Sequence, residues 1–189
     1  MTLRCQYPQR AMIIGGASCV WEDILALEEL YGGEWNGLII VANDIGVHWP
    51  YEIDAWVSLH GPKLQQWRQL RVQQQRSNSR PFQTWGKDNH RAFVDRVVKP
   101  WASGSSGMLA AQVAQELKCT RAVLCGVPMT PTAHFAQTQE RFAPEWQQAN
   151  AHWKSWPRQL GKMQGWVKSM SGRTQELLCA PTLEWLLAE

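Results

Sequence analysis

Five histidines, at positions 48, 60, 90, 134 and 152, are the side chains of this sequence best suited to moving a proton near neutral pH. None forms an H-x-E or H-x-x-x-H pattern, so their spacing points to acid–base work or hydrogen bonding rather than metal ligation, and no metal site and no cofactor is expected. His60 and His134 follow apolar runs that read as strands, where a general base would hang over a bound ligand. His134 is preferred as the catalytic base, with His60 second, because the loop through Pro128 and Pro131 should carry His134 over that edge. A lone histidine serves equally well as a structural hydrogen bonder. There is no G-x-S-x-G elbow, which argues against α/β-hydrolase chemistry.

Three small polar clusters are the candidate ligand-binding residues. Gly15, Gly16 and Ser18 lie in GGAS, which has the look of a nucleotide loop but lacks the spacing of G-x-G-x-x-G or of the Walker loop; a tight turn with Ser18 as helix cap accounts for it as well. Ser103, Ser105, Ser106 and Gly107 lie in SGSSG before an apolar helix, where small residues bring N–H groups and hydroxyls to a helix amino terminus that favours phosphate or carboxylate. Plain capping is the competing reading. Asn43 and Asp44 end an apolar strand, where an amide can read a base or sugar, or simply form a turn.

These clusters need elements to hold them. Residues 11–15 (AMIIG) predict a strand, Val20 to Tyr31 an amphipathic helix with Val20, Ile24, Leu27 and Leu30 on one face, and 37–43 (GLIIVAN) a strand covered on both sides. Further strands are expected over 53–59, 92–98, 121–126 and 166–171, and helices over 63–75, 108–117 and 145–156, with closing helical turns at 174–178 and 182–187. Residues 76–90 read as a polar surface loop. The expected fold is α/β and Rossmann-like: a mostly parallel sheet with helices on both faces, formed by one domain over 1–189, with 130–165 a candidate lid insertion and an irregular, helical carboxyl-terminal region. Each polar cluster follows a strand, so all should meet at the carboxyl edge of the sheet, where open α/β sheets bind ligands.

Composition sets bounds on partners. A chain of 189 residues with 44% hydrophobic and 19% charged residues suits one globular core, and no run approaches the roughly 18 apolar residues of a membrane span. With no secretory cleavage pattern at the amino terminus, a cytoplasmic location is expected. A net charge of +3 without a basic run makes nucleic acid an improbable partner and leaves a small phosphorylated ligand compatible; a homo-oligomer is also compatible. Five cysteines without a C-x-x-C pair read as reduced, mostly buried thiols. Twelve tryptophans are a heavy load, and those among polar residues (Trp67, Trp85, Trp101, Trp146, Trp153, Trp156) should rim the core or line a cleft.

The stretches GGASCVWEDI (15–24), VANDIG (41–46), IDAWVSLH (53–60) and the run from Ser103 to Met129 resemble, in order, the motifs of bacterial lipooligosaccharide-type sialyltransferases and the related motility accessory factor proteins. The resemblance implies a Rossmann-like domain that uses a CMP-activated sugar without a metal and a histidine base from a lid. By position it implies that Gly16 and Ser18 approach phosphate, Asn43 contacts the nucleotide, and Ser105, Ser106 and Gly107 hold nucleotide or sugar carboxylate. Two departures stand out: Ala17 replaces the proline usual in the first loop, and Pro128 stands where that family has an acid. The function expected is therefore binding of a nucleotide or nucleotide-sugar, with glycosyl transfer by direct displacement. Pterin diphosphokinase-like diphosphoryl transfer, and a non-catalytic Rossmann-like interaction protein of the kind phages or mobile elements encode, are the alternatives.

Overall fold

A computed structural model describes residues 10–76, 78–101, 104–135 and 152–188. Its centre is built from the apolar runs: β1 (Arg10–Ile14), β2 (Leu38–Ala42) and β6 (Arg121–Cys125) lie side by side, mostly aliphatic and small residues that are buried beyond the partly exposed first residues of each strand. Runs of this kind are stable only when both sheet faces are covered. Between β2 and β6 the chain forms β3 (Ala55–Val57), β4 (Gln83–Lys87) and β5 (Arg96–Val98), and β7 (Val167–Ser169) follows β6. All seven strands are parallel, in the order β5-β4-β3-β2-β1-β6-β7. The fold is the expected α/β, Rossmann-like one.

That order fixes where a crevice must open. The chain winds outward from β1 to β5, then returns through a helix to lay β6 against the free side of β1. The loops after β1 and β6 therefore leave the sheet toward opposite faces, and the order reverses between these two strands. Helix α1 (Val20–Tyr31) buries Val20, Ile24 and Leu27 on one face, in a core shared with α2 (Ile45–His48), with Leu64 of α3 (Gly61–Gln73), and with Leu186 near the carboxyl terminus. Gly32, at φ 83°, ends α1 in the left-handed region that glycine adopts without strain. Helix α4 (Ser106–Glu116) is buried nearly all round and covers the other face over β1 to β3. Trp156 and Met163, the latter in α5 (Leu160–Met163), complete that layer together with Leu178, which ends α6 (Gly172–Leu178).

The departures from expectation cluster at the sheet margin. Residues 83–87, inside the stretch expected to be a loop, form β4, paired Ala55 with Gln83, Trp56 with Thr84 and Val57 with Trp85. QTWGK carries too little apolar character to read as a strand, yet Thr84, Trp85 and Gly86 are buried because β3 and β5 flank them. The strand expected over 92–98 shrinks to β5, since residues 88–93 form a 3-10 turn. The short helices α2 and α5 and the 3-10 turn Pro157–Gln159 were not legible as periodic stretches. Of the helix expected over 145–156, only 152–156 fall within the described residues.

One buried charge ties the carboxyl edge together. Asp23, only 6% exposed, sits in the apolar stripe of α1. Its Oδ2 accepts the Gly126 N–H at 2.8 Å and the Ser171 hydroxyl at 2.7 Å, so one carboxyl links the turns after β1, β6 and β7. Burial pushes this carboxyl above its ordinary value of 3.8, and the two donors pull the other way. Removing it strands donors in a buried setting at about 1–3 kcal/mol each. Asp23→Ala should therefore lower the free energy of urea unfolding by about 2 kcal/mol or more, whereas Leu25→Ala, on the exposed side of the same helix, should change it by less than about 0.5 kcal/mol.

Candidate functional site

The loop after β1 is pressed against the end of β6. Gly15 donates its N–H to the Cys125 carbonyl at 2.8 Å, and a Cβ on Gly15 would lie 2.4 Å from the Gly126 oxygen, so only glycine allows the approach. Ala17 N–H is bonded to Gly126 O at 3.1 Å. Residues 132–135 then return over the same loop. Ser18 N–H donates to Ala133 O at 2.9 Å, Phe135 N–H donates to Gly16 O at 3.0 Å, and the Ser18 and Thr132 hydroxyls pair at 3.0 Å. Of the two loop glycines, Gly16 is the one whose N–H has no acceptor among the described residues. The imidazole of His134 lies over it, with Nε2 placed 2.9 Å from where a Gly16 Cβ would stand.

His134 reaches from this return segment to the loop after β2, where its Nε2 pairs with Asp44 Oδ1 at 3.2 Å. Burial alone would raise the Asp44 carboxyl, but the hydrogen bond and charge of His134 outweigh it and hold the carboxyl below its ordinary 3.8. The Asp44 carboxylate is an acceptor, so Nε2 is the donor of this pair. The phenyl ring of Phe135 stands 4.2 Å from the His134 ring and 5.0 Å from that of His48. Burial, opposed by the Asp44 carboxylate, moves the His48 pKa below its usual value.

Asn43 precedes Asp44 in the left-handed region, φ 62°, which asparagine tolerates better than most residues. Its main chain is bonded to Val57 O and to the Trp56 indole N–H, and its side-chain oxygen accepts the Ser58 hydroxyl at 2.8 Å. The two amide N–H groups of Asn43 have no acceptor among the described residues. Ser58 in turn accepts the His60 N–H at 2.9 Å, and the neighbouring Leu59 N–H donates to Ser106 Oγ at 3.3 Å. A continuous polar line therefore runs along the carboxyl edge from Ser18 through His134, Asp44, Asn43 and Ser58 to Ser106.

The described part of the SGSSG loop, residues 104–107, makes several contacts within the chain. Ser105 Oγ accepts the Met108 N–H at 3.2 Å as the cap of α4, Ser106 is taken by Leu59, and a Cβ on Gly107 would lie 2.6 Å from Val127 Cγ1. Through these contacts Ser105 caps the helix, Ser106 ties it to the β3 loop and Gly107 packs it against Val127. Ser103 lies outside the described residues. The imidazole of His152 packs on Gly104, whose absent Cβ would fall 2.1 Å from Nδ1. His60 is exposed, precedes α3 and faces Lys63, Lys87 and His90; partial burial and the charge of these neighbours lower its pKa. The edge thus brings His134, not His60, to the β1 loop.

Several supporting residues escaped the sequence reading. Arg71, buried on α3, donates to the carbonyls of Gly46, Trp49 and Tyr51 at 2.6–2.8 Å and so holds the segment that follows Asp44. Ser58, Thr132, Ser171 and Asp23 were missed too. Among the described residues, no three His, Cys, Asp or Glu side chains gather as a metal site, and no helix is long and apolar enough to cross a membrane. Cys19, Cys119, Cys125 and Cys179 are free thiols, with Cys179 exposed, and Cys5 lies outside the described residues. Comparison with protein-family models, with curated proteins and with solved structures finds no match in any of the three.

The depressed Asp44 carboxyl has a pH signature. A group whose folded pKa lies below its unfolded value adds stability that is present above the unfolded value and is lost as pH falls through the folded one. The stability of wild type over Asp44→Asn should be full above about pH 5 and shrink below 3.8. Partial exposure limits the difference to about 1 kcal/mol or less. Urea unfolding of both proteins between pH 3 and 7 checks it.

Proposed function

We propose that the chain binds a nucleotide or nucleotide-sugar at the carboxyl edge between β1 and β6, and that His134, oriented by Asp44, is the base of a direct-displacement glycosyl transfer. The observation that carries this reading is the His134–Asp44 pair lying over Gly16, whose N–H has no acceptor among the described residues. The Gly16 N–H supplies a donor to a phosphate oxygen, and the Asn43 amide supplies two donors to a base or sugar. The order of motifs that resembles lipooligosaccharide-type sialyltransferases supplies the donor class, a CMP-activated sugar.

In the displacement, the acceptor hydroxyl attacks the anomeric carbon while the carbon–oxygen bond to phosphate breaks. The nucleoside monophosphate leaves with the bonding pair, and the hydroxyl proton passes to the His134 imidazole. Asp44 stabilises the imidazolium that forms by accepting from Nε2. The chain's contribution is orientation and charge rather than covalent chemistry.

A second reading has its own observation. Ser105, Ser106, Ser18 and the Asn43 side-chain oxygen are already committed within the chain, as suits a scaffold that keeps the Rossmann-like sheet for protein contact. A thermal-shift series with CMP, CDP, UMP and CMP-activated sialic acid separates the two, since a ligand that binds only the folded state raises the melting temperature by mass action. The transferase reading expects stabilisation by cytidine ligands, and expects His134→Ala to lower turnover about 100-fold or more with a smaller change in donor affinity. Full turnover in that variant would remove His134 from the chemistry. No stabilisation by any nucleotide would favour the scaffold.

A further inference from the structure

The turn that joins α1 to β2 holds the one Asn-Gly step of the sequence, Asn36–Gly37. In such a step the side-chain amide carbon and the next backbone nitrogen meet with least hindrance, because glycine has no Cβ in the way and its backbone is the least restricted. Asn36 is exposed. Its Oδ1 accepts the hydroxyl of Tyr31, the last residue of α1, at 2.6 Å, so the helix end holds and polarises the amide. The Gly37 N–H, the other reacting group, donates to no acceptor among the described residues.

Asn78, followed by the small Ser79, is held differently. Its Nδ2 donates to the Ile53 carbonyl at 2.6 Å, and its Oδ1 accepts the Ile53 N–H and the Arg71 guanidinium at 3.3 Å each. The Ser79 N–H is taken by Glu52 at 2.9 Å. There the amide is clamped and the neighbouring nitrogen is occupied, whereas at Asn36 the carbonyl is activated and the nitrogen has no acceptor among the described residues.

We infer that Asn36–Gly37 is a site of self-modification in the folded protein. The Gly37 nitrogen gives its proton to water and attacks Asn36 Cγ. A new nitrogen–carbon bond forms, the bond from Cγ to the side-chain NH2 breaks, and ammonia leaves with a proton returned by water. Water then opens the succinimide ring at either carbonyl, giving aspartate or the isoaspartate whose backbone runs through the former side chain; nothing is oxidised or reduced. The Tyr31 hydroxyl donates to the oxygen on which negative charge builds, as in an oxyanion hole. The isoaspartate lengthens the backbone just before β2, where there is no slack: a Cβ on Gly37 would lie 2.4 Å from the Arg10 carbonyl oxygen, and Leu38 pairs with Ala11. Strain at this root falls on the strand whose far end leads into Asn43 and Asp44.

The test is incubation of the folded chain at mildly alkaline pH, which favours loss of the Gly37 proton, followed by digestion and mass spectrometry of the peptides that carry Asn36 and Asn78. The expected result is ammonia loss at Asn36, with aspartate and isoaspartate as products, while Asn78 stays unconverted. Tyr31→Phe, which keeps the ring that packs on Trp35, should slow conversion about threefold or more, the worth of one hydrogen bond. Asn36→Gln should remove it on the same timescale, since the longer side chain closes a larger ring. The purified isoaspartyl form should melt below both the unmodified chain and Asn36→Asp, which carries the same charge on an ordinary backbone. No conversion in the folded chain over a period in which a short peptide of residues 31–40 converts would overturn the proposal. So would equal conversion at Asn78, or an unchanged rate in Tyr31→Phe. An isoaspartyl form that melts with Asn36→Asp would overturn the strain on β2.

Discussion

The carboxyl edge of this sheet depends on a single buried carboxyl. An α1 with only aliphatic residues on its inner face would pack on the sheet as well, but nothing would then satisfy the Gly126 N–H where β6 turns away. Asp23 supplies that acceptor and takes the Ser171 hydroxyl as well. The β1 loop, the end of β6 and the turn after β7 are thereby locked to one helix. With the three fixed, residues 132–135 can return antiparallel over the β1 loop, and His134 can reach Asp44 across the switch point. The site geometry is a consequence of the order of strands and of this one charge.

Much of this was legible from periodicity. The central strands announced themselves as uninterrupted apolar runs, and the Val20, Ile24, Leu27 stripe identified α1 and its buried face. β4 was not legible, for a physical reason: it owes its extended form to β3 and β5 on either side, and QTWGK carries little local preference of its own. The same reasoning explains the missed residues. Asp23 falls three residues after Val20, on the buried stripe, and Arg71 falls seven after Leu64 on α3. A charge on an apolar stripe is itself a signal, and one that an inventory of loop motifs passes over.

The site residues divide along similar lines. His134, Asp44, Gly16 and Asn43 were singled out because they follow strands, and the sheet does gather them at one edge. SGSSG was singled out for its composition; Ser105 serves as a cap, Ser106 ties to Leu59, and Gly107 makes room for Val127. Small residues before a helix suit close packing as well as anion binding, and composition does not separate the two. The tryptophans show the same division. Trp156 is wholly buried, Trp85 floors a cleft, and Trp146 lies outside the described residues.

The central claim is that a nucleotide sits where the β1 loop, the loop after β2 and the 132–135 segment meet. Mapping backbone amide shifts on adding CMP to the ¹⁵N-labelled protein tests it most directly, because the readout is positional and needs no turnover. The account predicts saturable shifts centred on Gly16, Asn43, Asp44 and His134, with little change along β4 and β5. Shifts that centre elsewhere, or none at millimolar CMP, would contradict it.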